Sequence, residues 1–365
     1  MSAHRQEYLI SVKPVTPMII SSGAYLDACD YVLARPKQDG DIKLIAFNFT
    51  RLQDILADDE QADLLVAIEK NPFSTAQELS KLSEKIAASK DIQRFSIPAS
   101  NAIVNYIKDR VNNIAADAQG KLEFHLFQRT TIGPYIPGSS FKGAIRTAVA
   151  FAEALKKRNV IEQTKRKIIK DRDFEKHLFD NRETFDDPFR QLKISDSTSI
   201  QTQAVVEQFI NLKAGKVEKG ARTLCEAAVP AAGKSCQLNL IIDNRMIGKT
   251  NSIKSNNKLT AKQIVDSCRQ FYKAVLEKDL EFFKKVNSSN GGIRINLAWQ
   301  VQILEALGQD SGKMVFPIKL GLGTSNYAKS FEPHFTNKYP VSRKVIDKGV
   351  EMVPLGWAIA ELEEV

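Results

Sequence analysis

The sequence predicts an α+β fold, and three observations carry that prediction. Segments of alternating polarity, the mark of half-buried strands, recur along the chain between stretches of helical periodicity. The rhythm of strands around a helix begins again in the second half, so the chain reads as a duplicated architecture without a residue-level repeat. A glycine-serine loop follows a strand in each half, at 136–140 and at 321–325. At 365 residues the chain is long enough for two hydrophobic cores.

The elements follow in order. Tyr8 to Val15 sets Tyr8, Ile10 and Val12 against Ser11 and Lys13, a half-buried strand. After Pro14 and Pro17, the apolar stretch Met18 to Gly23 ends in Ser-Ser-Gly. Ile42 to Phe49 is a second strand, Thr50 caps a short helix to Leu56, and a helical zone runs to about Ala88. Within that zone Ser74 and Gln77 have capping-box spacing. Lys121 to Thr130 is a strand that feeds the first glycine loop. Lys156 to Lys176 is strongly basic and poorly amphipathic, which suits a solvated helix or a nucleic-acid-facing arm equally. The turn Phe185 to Pro188 marks a boundary between units 1–187 and 188–365. In the second unit Gln191 to Ser195 is a short strand, and Ser235 to Asp243 alternates Cys236, Leu238, Leu240 and Ile242. Thr260 and Gln263 open a long helix to about Val286, broken by Ser288 to Gly292. Met314 to Leu320 is a strand entering the second loop, and Val353 to Ala360 closes the chain as another.

Composition narrows the classes of function. Hydrophobic content of 43% and charged content of 26% are those of a globular protein, and a net charge of +9 favours a polyanionic partner. Solvated lysine surfaces produce the same charge. Cys29, Cys225, Cys236 and Cys268 are scattered without a CxxC pair, so neither a disulfide framework nor a zinc knuckle is expected, and a reducing cytoplasm is. The polar start runs into a strand and reads as no signal peptide, and no apolar run reaches the roughly 18 residues a membrane span needs. His4, His125, His177 and His334 lack HxxxH or HExxH spacing, so no metal or other cofactor is expected. The string at 231–235 ends like a Walker A loop, but Ala228 stands where its first glycine belongs, no strand is evident before it and the segment enters a strand, all of which argue against ATP binding.

The chemistry concentrates in the run from Ile136 to Ala148, IPGSSFKGAIRTA. Pro137 and Gly138 make a turn in which glycine supplies a backbone conformation closed to other residues, and Ser139 and Ser140 are N-cap residues. Phe141, Ile145, Ala148, Ala152 and Leu155 form an apolar helical stripe, with Lys142 and Arg146 one turn apart on another face. Free N–H groups, the helix dipole and two cations together make a place for a phosphate backbone. An ordinary capped helix with solvated charges has the same pattern. In the second loop, Lys319 to Ser325, glycines let backbone approach a phosphate or base while Thr324 and Ser325 donate; a plain turn is the alternative. His125 precedes the first loop, where a general acid or base could reach a bound phosphate backbone, and Asp27 and Asp30 follow the Ser-Ser-Gly segment. A structural histidine and solvated loop aspartates remain open for these three. Aromatics are dispersed, so recognition of a nucleic acid would rest on backbone charge, loops and shape.

The first run resembles the PG-S-S-x-K-G-x-[IL]-R signature of the CRISPR-associated RAMP superfamily. VTPMIISSG at 15–23, LKISDS at 192–197 and GLGTS at 321–325 resemble further family segments in the same order. Residues 159–187 and 243–289 match nothing in it. The pattern is most like the subunit that caps the type III-A (Csm) effector at the 3′ end of the guide. The resemblance implies tandem RRM-like (ferredoxin-like) domains with helical insertions and glycine-rich loops, one over 1–187 and one over 188–365. It implies a non-catalytic, cytoplasmic subunit that binds the 3′ part of the crRNA, meets target RNA and caps the filament of backbone RAMP subunits. Contact with other Csm subunits and support of crRNA 3′-end maturation by host nucleases, in antiviral defence, are implied as well. The RNA-binding residues carried over are Gly138, Ser139, Ser140, Lys142 and Arg146, then Gly321, Gly323, Thr324 and Ser325; Lys319 and Lys329 are added from charge alone. Two other identities stay open. One is a RAMP endoribonuclease cutting guide precursor through His125 or target RNA through Asp27, and the other is the equivalent subunit of a type III-B effector.

Overall fold

The computed structural model describes residues 4–36, 40–112, 122–170, 173–181, 183–213, 215–231, 234–245, 247–248, 253–289, 291–308, 312–324, 328, 335 and 341–365. Strand β1 (Arg5–Pro14) buries Tyr8, Ile10 and Val12 as its alternation requires. Strands β2 (Ser21–Leu26), β3 (Tyr31–Ala34) and β4 (Lys43–Phe47) precede helices α1 (Asp58–Lys70), α2 (Pro72–Lys81) and α3 (Ser83–Ala88). Two caps differ from expectation. Asn48, not Thr50, caps the 3-10 turn Phe49–Asp54, its Oδ1 accepting from Thr50 N at 3.1 Å. Asn71, not Ser74, caps α2 by accepting from Phe73 N and Ser74 N, because Pro72 fixes the first helical position.

Next come β5 (Gln93–Pro98), α4 (Asn101–Asn112), β6 (Phe124–Phe127), α5 (Gly138–Lys156), α6 (Arg158–Lys165), α7 (Phe174–Phe179) and β7 (Leu192–Ile194). The basic stretch after α5 is neither free arm nor solvated rod. Val160, Ile161, Ile169 and Phe174 are buried in the main core, while Lys156 and Lys165 lie against Glu153 and Glu162 at 3.1 and 2.9 Å. A long hairpin, β8 (Thr202–Lys213) and β9 (Lys216–Ala228), leads to β10 (Cys236–Asp243), α8 (Ala261–Asn287) and α9 (Gln300–Gly308). Thr260 caps α8 as expected, its hydroxyl accepting from Gln263 N at 3.2 Å. Strands β11 (Met314–Lys319), β12 (Ser342–Asp347), β13 (Met352–Pro354) and β14 (Trp357–Glu364) complete the chain, so the expected closing strand is two strands broken at Gly356, whose φ is +93°.

The first sheet has the order β11-β14-β1-β10-β7, antiparallel throughout. Helix α5 follows β1, and α8 follows β10. Leaving out the edge strand β11, the fourth, first, third and second strands of one β-α-β-β-α-β unit lie side by side, the ferredoxin-like order. Its core joins Ile10, Val12, Leu238 and Leu240 to α5 and α8, where Phe151 meets Phe271 at 5.2 Å and the Tyr272 hydroxyl donates to Ala144 O. The second sheet has the order β13-β12-β8-β9-β6-β2, with β6 and β9 parallel; the third is β3-β4-β5. Both larger sheets take strands from either side of residue 187: β1 lies between β10 and β14, and β6 lies beside β9. The ferredoxin-like unit is thus assembled from both halves, with residues 15–137 inserted between its first strand and first helix.

Candidate nucleic-acid interface

The first glycine motif starts α5, but its glycine acts differently from the expectation. Gly138 is not among the positive-φ residues. A Cβ there would overlap the carbonyl oxygens of Ile194 and Ser195, so the glycine lets α5 press end-on against the end of β7. The N-cap is Pro137, and neither Ser139 nor Ser140 caps the helix. Instead the Asp196 carboxylate accepts from Gly138 N at 2.9 Å, occupying the helix terminus where a phosphate was expected. Ser139 is exposed and Ser140 half-exposed, which leaves their hydroxyls at the surface.

The second motif is also set by backbone proximity. Gly321 has φ +73°, and a Cβ on it would overlap the Ile19 carbonyl; one on Gly323 would overlap the Leu355 carbonyl. Leu322 N donates to Ile19 O at 2.8 Å, Leu320 N to Gly356 O at 2.8 Å, and Thr324 Oγ1 to Gly321 O at 2.9 Å. Thr324 is buried, and Ser325 and Lys329 lie outside the described residues, as do Lys121 and His334.

A hydrogen-bonded seam connects the two motifs. Leu322 N reaches Ile19 O, Gln128 N reaches Ile20 O at 2.7 Å, and Tyr135 N reaches Gln128 O at 2.9 Å. Ile136 N then donates to Ser197 Oγ at 2.8 Å, next to the Gly138–Asp196 contact. The four segments that looked alike to the family in sequence therefore meet in space: 15–23, 136–148, 192–197 and 321–324.

Charge is distributed unlike the sequence reading. Arg146 donates Nε to Glu175 at 2.7 Å and Nη1 to Asp187 at 2.8 Å, and its guanidinium lies 4.7 Å from the Phe189 ring centroid. Burial opposes its charge, but the two carboxylates outweigh that and hold the pKa above its ordinary value. Lys142 Nζ donates to Leu192 O at 2.8 Å, and partial burial lowers its pKa. Lys319, placed with the RNA contacts on charge alone, is corrected by the structure to the core. It is buried beside the fully buried Asp279 carboxylate, which also accepts from Arg343 Nε at 2.9 Å and Trp357 Nε1 at 3.3 Å. Burial alone would raise the Asp279 carboxyl; the two cations outweigh it and hold it below the usual range. This cluster ties α8 to the first sheet through Lys319 and to the second through Arg343. Nothing local in the sequence marks Asp279, whose α8 neighbours carry ordinary helical charges.

His125 pairs across β2 and β6 with Tyr25, their ring centroids 6.1 Å apart. Asp27 lies two residues beyond Tyr25 and is exposed, and Asp30 accepts from Asp27 N at 3.0 Å. Among the described residues no three His, Cys, Asp or Glu side chains cluster as a metal site, and no helix is long and apolar enough to cross a membrane.

The sequence model of the RAMP superfamily matches residues 11–313, and the chain belongs to that superfamily. No curated protein sequence matches it. Among solved structures, Csm5 of T. onnurineus is similar at 16% identity and TM-score 0.60, over 96% of this chain and 99% of that one. A chain in the cryo-EM structure of a type III-A Csm–crRNA–target RNA ternary complex is similar at 18% identity and TM-score 0.58, over 98% of this chain and 100% of that one. At such identities the likeness establishes the fold, and the α+β, ferredoxin-like expectation holds.

Proposed function

We propose that this chain is a non-catalytic RNA-binding subunit of a type III-A CRISPR effector. It holds the 3′ part of the crRNA, closes the filament of backbone RAMP subunits and supports crRNA 3′-end maturation. The observation that carries the reading is end-to-end likeness to a chain of a Csm–crRNA–target RNA complex, with neither chain leaving a domain unmatched. The seam supports it by joining both glycine motifs into one scaffold. In this reading Gly138, Gly321 and Gly323 shape the scaffold, while Ser139, Ser140 and Lys142 present donors to phosphates from its surface, with Ser325 and Lys329 assigned to the same strand of RNA.

The test mixes purified protein with labelled single-stranded guide RNA, with and without magnesium, at two salt concentrations. A salt-sensitive shift of intact RNA is expected. Discrete cleavage products that vanish in His125→Ala or Asp27→Ala would replace the reading with an endoribonuclease, a reading favoured by the position of Asp27 just after β2, two residues past Tyr25, the cross-strand partner of His125. Absence of a shift, both alone and with the backbone subunits added, would overturn RNA binding.

A further inference from the structure

We propose a second phosphate-binding site, far in sequence from both glycine motifs, in the cleft between the β8–β9 hairpin tip and the last turn of α8. The inference rests on the RNA-binding reading above and adds a contact to it. The cleft has a volume of about 580 Å³ and is lined by Leu212, Gly215, Lys284, Lys285, Ser288 and Ser289. Lys213 ends β8 and Lys216 begins β9, and Gly215 beside Lys216 has a φ of +77°.

One feature of this corner is costly without an anion. Lys213 and Lys216 are direct cross-strand partners, and like charges opposite each other destabilise a strand pair. Both are exposed, and among the described residues neither they nor Lys284 has a carboxylate within salt-bridge distance. Glu281 accepts from Lys285 at 2.9 Å and from Lys278 at 3.3 Å, so it offsets only part of the charge. The helix dipole gives Lys284 and Lys285 a reason to sit in the last turn of α8. Yet the chain already satisfies that terminus: Ser288 donates N and Oγ to Lys284 O at 3.0 and 2.9 Å, and Ser289 Oγ donates to Val286 O at 2.7 Å. Lys285 keeps Glu281, and the Lys284 ammonium is left to an external partner. Lys284 and Lys285 line the cleft beside a single large apolar side chain, Leu212, and Lys213 and Lys216 stand at the adjoining hairpin end; compact, strongly hydrated cations in this setting suit successive phosphates of a nucleic-acid backbone, whereas stacked bases or an apolar peptide would need more apolar surface.

The experiment measures binding of a fluorescein-labelled single-stranded oligouridylate across a salt series. The proteins are the wild type, Lys142→Ala, and a variant with Lys213, Lys216, Lys284 and Lys285 all changed to Gln. Near-UV circular dichroism checks the fold of each. Single-stranded contacts contribute about 0.7 each to the slope of log K against log salt, so the fourfold variant loses about 2 to 3 in slope. A variant slope equal to wild type, with wild-type binding intact, overturns this site and leaves the RNA reading standing. Failure of the wild type to bind, alone and with the backbone subunits added, overturns both. Loss of binding to oligoglutamate with an unchanged RNA slope would assign the corner to an acidic protein surface and also overturn the proposal. Should the fourfold variant lose its fold, the two double variants, Lys213→Gln with Lys216→Gln and Lys284→Gln with Lys285→Gln, each lose about 1.4 in slope; unchanged slopes in both refute it.

Discussion

Replacing Asp279 tests the account of the buried ion cluster. Its carboxylate is fully buried and serves Lys319, Arg343 and Trp357, whose own side chains are buried. In Asp279→Leu two cations stay inside the protein with no counter-charge. Breaking a buried pair by removing one partner costs about 3–5 kcal/mol, chiefly the penalty of the charge left behind. The triple replacement Asp279→Leu, Lys319→Met and Arg343→Met removes all three charges at similar volume and should return to within about 1–2 kcal/mol of wild type. Urea unfolding followed by tryptophan fluorescence is a local probe, because the two tryptophans, Trp299 and Trp357, stack at 5.6 Å beside the cluster. Far-UV circular dichroism must give the same midpoint for the free energies to be read as two-state values. Acid should act the same way. The folded Asp279 pKa lies below its unfolded value, so its contribution is complete above the unfolded pKa of about 3.9 and is lost as pH falls through the folded value. Wild type should therefore lose more stability below pH 4 than the triple variant does. A triple variant as unstable as Asp279→Leu would refute the argument, because the loss would then come from packing.

Three further outcomes follow from the geometry. Gly321→Ala combines a left-handed backbone with overlap at Ile19 O, whereas Gly23→Ala has φ +81° and open space around it. Gly23→Ala should cost about 1–2 kcal/mol in urea unfolding and Gly321→Ala clearly more; equal losses would remove the close-approach argument. Arg146→Ala should cost about 1 kcal/mol, discounted for its partial exposure, and leave the salt dependence of RNA binding unchanged, while Lys142→Ala lowers that slope by about 0.7. The reverse pattern would place Arg146, not Lys142, on the RNA. Cys225, Cys236 and Cys268 are buried, and burial pushes the Cys236 thiol up to about 11 and the other two higher still. Native alkylation read by mass spectrometry should modify Cys29 alone, and slowly, since partial burial and Asp30 raise its pKa too.

Much of the fold was legible because burial alternates cleanly in its central strands. Tyr8, Ile10 and Val12 in β1 and Cys236, Leu238, Leu240 and Ile242 in β10 announce one buried face each, and these strands pair in register. Thr260 announced α8 because its cap is local. The β8–β9 hairpin was missed because its inner half is buried on both faces, Ala204 to Gln208, so period-2 alternation vanishes where the strand is most secure. The 1–187 boundary followed a real turn at Pro188, but a boundary in the chain is not one in a sheet whose central strand comes from the N-terminus. At the site, composition gave Lys319 a positive charge and could not say where the charge points; Asp279, 40 residues earlier, decides that.

The two glycine motifs were informative for a reason other than the one their chemistry suggested. A Gly-Ser turn before a helix invites a phosphate, yet Asp196 of the same chain takes the Gly138 N–H, and the Gly321 carbonyl takes the Thr324 hydroxyl. What forces glycine at 138, 321 and 323 is another backbone lying where a Cβ would be. Those positions specify how α5 meets β7 and how the β11 end meets the 15–20 and 355–357 segments. They mark how the scaffold of a RAMP protein is joined. Affinity then resides in side chains standing on the scaffold, so replacing Ser139, Ser140 and Lys142 together should weaken RNA binding at unchanged stability, while Gly138→Ala should lower stability first and binding only through it. Binding lost in Gly138→Ala at wild-type urea midpoint would return the glycine itself to the RNA.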